Sequence, residues 1–334
     1  MALTMERCDS VAQEEEIKAL FLRNERPTFA AFFDRAYRYA MSAGGASWVA
    51  RNGPAGIVGH QAVFPRSFAD VHRVVQGALF VDSLFDRPHR NFWSAVELCR
   101  RTLADLRDAG RFDFAYTDPT PPALAVLRAT GFTTIGTFQR FVLPLNPLYL
   151  GVFRIRSRPE PLSVARAEGL QDTSVAEALR TLRPGAQFRV ERSLELYATR
   201  LGGETIPSWQ WLLLRPERDP GSPVAALVLT TRPPGQAVLS VVDVLWDEAR
   251  VSAASVLHAM ARTARAEGFK KLSMLTLAES RLARSLERCG FIRREGTLPL
   301  VVQRIREDAV LPPVQDWVLT YFRRQRLVTA IKAS

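Results

Sequence analysis

One succession of segments occurs twice in this chain, which restricts it to folds that can be built as two related halves. In the first half Phe80-Val81-Asp82 leads through an Arg/His loop into a helix ending at Gly110, then a strand Phe112 to Tyr116, a short helix and Gly131-Phe132. In the second half Val241-Val242-Asp243 leads through a polar loop into a helix ending at Gly268. A strand Lys271 to Leu275, a short helix and Gly290-Phe291 follow. The offset of about 160 residues is domain-sized rather than a solenoid period. The division predicted from it is a lead-in at 1–26, a first domain at 27–150 and a second at 151–334, with the linker among Pro144, Pro147 and Pro159 to Pro161.

Length and composition agree with two packed domains: 334 residues, 47% of them hydrophobic, are enough for two ordinary cores. No apolar run approaches the roughly 20 residues that span a bilayer. The first 20 residues carry Glu14-Glu15-Glu16 in place of a basic-then-apolar leader, so a cytoplasmic protein is expected. Cys8, Cys99 and Cys289 are too scattered for a disulfide framework, and none stands at zinc-type spacing, so no metal is expected. The net charge of +11 and the pI near 10.3 fit acidic partners such as nucleotide phosphates, tRNA, acyl carrier protein or anionic lipid. They equally fit a bias toward arginine, because lysine is confined to Lys18, Lys270, Lys271 and Lys332 and the arginines are spread rather than clustered.

Periodicity places the elements. Phe29 to Ala40 is apolar at helical spacing, with Phe29, Phe32, Phe33 and Tyr37 on one side. Ser47 to Ala50 and Gly56 to Val63 form a hairpin around Arg51-Asn52-Gly53-Pro54, and Gln76 to Val81 is the next strand. A one-faced helix spans Phe92 to Ala109, with Phe92, Val96, Cys99, Leu103 and Leu106 on its stripe, Asn91 as its N-cap and Gly110 as its stop. Phe138 to Leu143 is a further strand. In the second half, helices at Val175 to Leu182 and Leu194 to Leu201 precede a hairpin of Trp209 to Leu214 and Val224 to Thr230. Val238 to Leu245 reads as a central strand, and Ala253 to Glu267 as a helix with Val256, Leu257, Met260, Ala261 and Ala264 inward. Trp317 to Phe322 is strand-like, followed by the basic tail Arg323-Arg324-Gln325-Arg326.

This order resembles the GNAT superfamily of acyl-CoA-dependent N-acyltransferases in tandem form, over roughly Phe29 to Val142 and Trp209 to Arg304. The resemblance implies an α/β (α+β) protein of two tandem GNAT-like domains, each a mixed, mostly antiparallel central sheet flanked by helices. In that family a central strand and its parallel neighbour splay apart and admit the pantetheine arm. Carried over, Leu79, Phe80 and Val81 would offer backbone to it, and the pyrophosphate would meet the turn formed by Arg87, His89, Arg90 and Asn91. The family's usual RxxGxG/A loop is not reproduced: with Arg87 leading, Arg90 and Phe92 stand where small residues belong. Either the guanidinium groups of Arg87 and Arg90 replace backbone amides as phosphate donors, or the loop has no ligand and its arginines are solvated. In the second half Asp247-Glu248 replaces the basic entrance, so that half is expected to be structural or to wall the acceptor side.

By the same resemblance Asp82 is the candidate base and Tyr116 the candidate acid at sulfur, with Asp243 the counterpart of Asp82. Each has a structural alternative, as a turn aspartate or a sheet tyrosine. His60 is either a cleft-facing base or a polar sheet residue beside Gln61. The function implied is acyl transfer from acetyl-CoA or another acyl-CoA to the amine of a small molecule or sugar precursor. One rival is a Fem-like transferase using aminoacyl-tRNA, or one using acyl carrier protein. Another is a non-catalytic binding protein that keeps the fold. The acceptor and the oligomeric state are not legible.

Overall fold

A computed structural model describes residues 3–320, apart from 9–10, 54–55, 149–150, 152–158, 168, 183–184, 186, 202–208, 220 and 233–234. The first half runs β1 (Thr4–Cys8), α1 (Glu14–Arg23), α2 (Pro27–Ser42), β2 (Ala46–Arg51), β3 (Ile57–Ala69) and β4 (Val74–Phe85). It continues through a 3-10 turn (Arg87–His89) to α3 (Phe92–Ala109), β5 (Phe114–Thr117), α4 (Pro121–Ala129) and β6 (Thr133–Pro144). The second runs β7 (Leu162–Ala167), α5 (Thr173–Thr181), β8 (Phe188–Val190), α6 (Leu194–Leu201), β9 (Trp209–Pro216), β10 (Ala226–Thr231) and β11 (Val238–Trp246). It ends with α7 (Ala253–Ala266), β12 (Lys271–Leu277), α8 (Arg281–Arg288), β13 (Ile292–Arg304) and the short β14 (Trp317–Val318).

Two compact units form, and neither is a continuous stretch of chain. The first comprises Met1–Phe68, Val74–Ile135 and Leu298–Leu311; the second comprises Ala69–Arg73, Gly136–Thr297 and Pro312–Ser334. Each takes a strand from the other half of the sequence. β5 pairs antiparallel with the end of β13, Tyr116 opposite Val302, and β12 pairs antiparallel with β6, Met274 opposite Phe141. Strand pairing is decided by hydrogen bonding across a sheet, which linear spacing does not reveal. The central part of the proline-rich stretch, 152–158, lies outside the described residues, as does the basic tail after Thr320.

In the first unit the strand order is β1-β2-β3-β4-β5-β13. β1 pairs antiparallel with β2, and Ile17, Leu20 and Phe21 of α1 are fully buried, so Thr4–Cys8 form a sheet strand and Glu14–Arg23 a packed helix rather than a lead-in. Helix α3 has the expected bounds. The Asn91 side chain accepts from the Ser94 amide, and Gly110 closes the helix at φ 65°, where a side chain would be strained. Val96, Leu98, Cys99, Leu103 and Leu106 are buried, but Phe92 is 41% exposed and meets Trp93 edge-on instead of joining the stripe.

The second unit repeats the plan in the order β6-β12-β11-β10-β9-β7. Helix α7 buries the five inward residues expected of it, together with Ser255 and Ala259. Ser252 caps that helix through the Ser255 amide, and Ser280 caps α8 through the Ala283 amide. Phe33 and Tyr37 of α2 are buried in the first unit; the side chains of Phe29 and Phe32 lie outside the described residues.

Candidate functional site

In the first unit β4 and β5 pair in parallel, and that pair comes apart. Gly77, Ala78 and Leu79 of β4 register with Phe114, Ala115 and Tyr116 of β5. β5 ends at Thr117, whereas β4 continues to Phe85. At the fork the Thr117 hydroxyl donates to the Phe80 carbonyl at 2.9 Å. Beyond it the β4 carbonyls take donors from β3 side chains: Gln61 Nε2 reaches Val81 O at 3.0 Å, and His60 Nδ1 lies 3.1 Å from Asp82 O. Asp82 has φ 57°, a left-handed conformation inside a strand, which turns the chain as a bulge does. Of the three backbone residues expected at the opening, Leu79 is the last in register and Phe80 and Val81 lie just past it.

Gly77 sits at the root of the fork for a steric reason. A Cβ there would stand 2.8 Å from the Phe68 ring, 3.0 Å from Phe114 and 3.1 Å from Tyr116. These three rings pack edge-on or tilted at centroid distances of 5.1 to 5.5 Å. Gly77→Ala is expected to cost about 1–3 kcal/mol through overpacking, read as a lower midpoint in chemical denaturation. A change under about 0.5 kcal/mol would show that the rings yield freely.

The structure separates the two catalytic candidates. Tyr116 is 1% exposed within this aromatic cluster. Asp82 instead belongs to a polar group on β3, β4 and α2: the Tyr37 hydroxyl donates to its Oδ2 at 3.3 Å, and His60, fully buried, holds its carbonyl. Burial raises the Tyr37 hydroxyl well above the usual phenol range, with the Asp82 charge adding to it. Burial lowers His60 to about 4, so its ring is neutral near pH 7.

Residues of the loop after β4 have partners of their own. Arg87 pairs with Glu25 at 2.8 Å on an exposed surface, and Arg90 donates to Phe85 O at 3.2 Å and to Asn24 Oδ1 at 3.0 Å. Asp86 is bound by Arg23 and Asn24 at 2.8 and 2.7 Å. His89 Nε2 lies 3.5 Å from Asn52 Nδ2, and Asn91 is committed to its helix cap. An anion at this turn has to displace the exposed Arg87–Glu25 pair, which is worth at most about 1 kcal/mol. Beside the turn lies an open groove of about 460 Å³, lined among others by Met5, Pro88, His89, Asn91, Trp93 and Arg100.

The second unit has the same fork, and Leu319 and Thr320 of that unit bind both of its sides. Val238 to Val241 of β11 register in parallel with Lys271 to Met274 of β12. The β10–β11 register shifts between Leu229 and Thr230, leaving Val242 as the extra residue beside Asp243. Past the paired stretch, Thr276 of β12 forms an antiparallel bridge with Thr320 and donates its hydroxyl to Leu319 O at 2.9 Å. On the β11 side the Thr320 hydroxyl donates to Asp243 Oδ1 at 2.5 Å. Trp317 and Val318 pair in parallel with Phe188 and Arg189 of β8.

Asp243 is the counterpart of Asp82 in another respect. Tyr197 of α6 donates to its Oδ2 at 2.7 Å, as Tyr37 does to Asp82. The tyrosine precedes the aspartate by 46 residues in the second half and by 45 in the first. That recurrence is the signal in the sequence that marks the pair; helical spacing alone places Tyr37 only on the apolar side of its helix. The second copy adds a buried ion pair, Arg192 Nε to Asp243 Oδ2 at 2.6 Å. Burial pushes the Asp243 carboxyl up, but the Arg192 charge and the hydrogen bonds from Arg192, Thr320 and Tyr197 together hold it below the usual carboxylate range.

No group of side chains suited to a metal occurs among the described residues, and no helix there is long and apolar enough to cross a membrane. No protein-family model matches the sequence, and no curated protein matches it either. Solved structures do. A GCN5-related N-acetyltransferase from Anabaena variabilis superposes with a TM-score of 0.68 at 10% identity, covering 91% of this chain and 73% of that one. A probable N-acyltransferase from Enterococcus faecalis superposes with a TM-score of 0.68 at 11% identity, with the same coverage. A tandem GNAT protein from the clavulanic acid biosynthesis pathway, solved without AcCoA, matches at TM-score 0.52 and 14% identity over 92% of this chain and all of that one. At such identities the likeness carries architecture, and the doubled fork with its doubled Tyr–Asp pair carries the duplication; the chain has the GNAT fold in its tandem form.

Proposed function

We propose that the chain is an N-acyltransferase whose first unit receives an acyl-CoA, acetyl-CoA in the first instance, and passes the acyl group to a small-molecule amine. The observation that supports this is the difference between the two forks. In the second unit Leu319 and Thr320 bind to both sides of the opening; the first unit's fork, between the end of β5 and the continuing β4, is the donor site in this reading. The amine nitrogen attacks the thioester carbonyl, a C–N bond forms, the C–S bond breaks and the thiolate leaves. The amine proton passes to a base, and the thiolate takes up a proton. Asp82 is the base in this reading, oriented by Tyr37. Tyr116, packed against Phe68 and Phe114, is the acid in this reading, with solvent as the alternative proton source.

The internal partners of Arg87 and Arg90 favour a second reading, in which the fold is kept as a binding scaffold without transfer. A panel of coenzyme A thioesters distinguishes the two. A ligand of the native state at 100 times its Kd stabilises by about 2.7 kcal/mol, a shift of several degrees in Tm. Acetyl-CoA is expected to raise Tm in this way, and Arg87→Ala with Arg90→Ala to reduce the rise. No shift with any thioester would leave the scaffold reading in place; an undiminished shift in the double variant would remove these arginines from the donor site.

A further inference from the structure

Asp82 and Glu25 are the two non-glycine residues with positive φ among those described, and only Asp82 lies within a strand. A left-handed residue there costs about 1–2 kcal/mol and persists when its surroundings hold it. His60 does much of that holding. Its Nδ1 faces the Asp82 carbonyl, which can only accept, so the proton sits on Nδ1 and Nε2 carries the lone pair. Alongside, Gln61 binds Val81 O at 3.0 Å and accepts from the Ser83 hydroxyl, so β3 secures the residues on both sides of Asp82.

The other side of the imidazole is unusual. Nε2 is buried with no hydrogen-bond partner among the described residues, in a ring placed 5.7 Å from Phe21 and 5.8 Å from Tyr37. An unmet buried acceptor costs about 1–3 kcal/mol, which an apolar side chain between those rings would avoid. In the second unit Asp243 is not left-handed, and the matching Tyr–Asp pair is held without a histidine by the Arg192 charge and the Thr320 hydroxyl, in a fork whose two sides Leu319 and Thr320 bind. The neutral, incompletely satisfied clamp thus belongs to the unit whose fork carries the proposed reaction.

We propose that His60 is a positioning residue for the transfer reaction, fixing the left-handed turn at Asp82 and with it the direction of the Asp82 carboxylate. The inference rests on the acyltransferase reading. His60 does not meet the thioester itself, so its loss acts on turnover rather than on donor binding.

The test uses the full chain with acetyl-CoA and a panel of primary amines, following thiol release, below the melting temperature of every variant. His60→Leu is expected to lower kcat at least about 30-fold while KM for acetyl-CoA stays within about threefold, the pattern of a displaced reacting group. His60→Asn, which keeps an N–H donor near the Nδ1 position, is expected to recover kcat to within about fivefold of wild type. A purely structural histidine would lower Tm in both variants and leave kcat unchanged, which overturns the proposal. Equal loss of kcat in both also overturns it, because the bond to Asp82 O is then not what matters. Wild-type protein that neither binds acetyl-CoA in the thermal-shift assay nor turns it over refutes the acyltransferase reading and this inference together; normal turnover in His60→Leu refutes this inference alone.

Discussion

Asp243→Ala is expected to destabilise the second unit by about 3–5 kcal/mol, because it leaves the Arg192 guanidinium buried without its counter-charge. Arg192 and Asp243 have side chains only 7% and 3% exposed, so water cannot take over the lost partner. Tyr197 and Thr320 lose their acceptor in the same change. Removing both charges should cost much less than removing one, since a buried ion pair repays little more than its own desolvation. Urea denaturation of Asp243→Ala, Arg192→Met and Asp243→Leu/Arg192→Met checks this, and the double variant is expected to be more stable than either single one. A loss below about 1 kcal/mol in Asp243→Ala would mean that the cluster carries no weight. The pH dependence follows from the depressed carboxyl. The stabilisation from Asp243 is fully present above the ordinary carboxylate value of about 4 and disappears as pH falls through its lower folded value, a loss that Asp243→Leu/Arg192→Met should lack.

Trp317→Ala is expected to cost a further unit-wide amount of about 3–5 kcal/mol, the range for truncating a buried aromatic. Trp317 is fully buried, packs edge-on against Phe188 with ring centroids 4.9 Å apart, and donates its indole N–H to Pro312 O at 2.9 Å. These contacts anchor the segment that carries Leu319 and Thr320 into the fork. Its release should speed hydrogen exchange at Leu275 to Leu277 and at Asp243 to Leu245 more than at Val238 to Val241, whose β12 partners remain. Uniform exchange across both stretches would show that the terminal segment does not close the fork.

Much of the local structure was legible because its causes are local. Helix α3 could be bounded from Asn91 and Gly110, since an N-cap and a left-handed stop act within one turn. The inward face of α7 followed from its 3.6-residue period. Phe92 departs from its stripe at the first turn, where it stays 41% exposed and meets the Trp93 ring. Residues 1–26 read as a lead-in because five strand residues and one amphipathic turn give little periodic signal, although Thr4–Cys8 pair with β2. The Arg/His turn was recognisable by charge, yet Glu25, Asn24 and the Phe85 carbonyl, its actual partners, lie outside the loop or carry no sequence signature.

From sequence came the duplication, because a strand-helix-strand order with its glycine stops is written in short-range residue choices that recur at a domain-sized interval. Which aspartate has its carboxylate paired with an arginine and which has its carbonyl held by a histidine, and which fork takes up Leu319 and Thr320, were settled only in three dimensions. Those contacts join residues 22 to 77 positions apart across strands and helices, and only the folded sheet brings such residues within hydrogen-bonding distance.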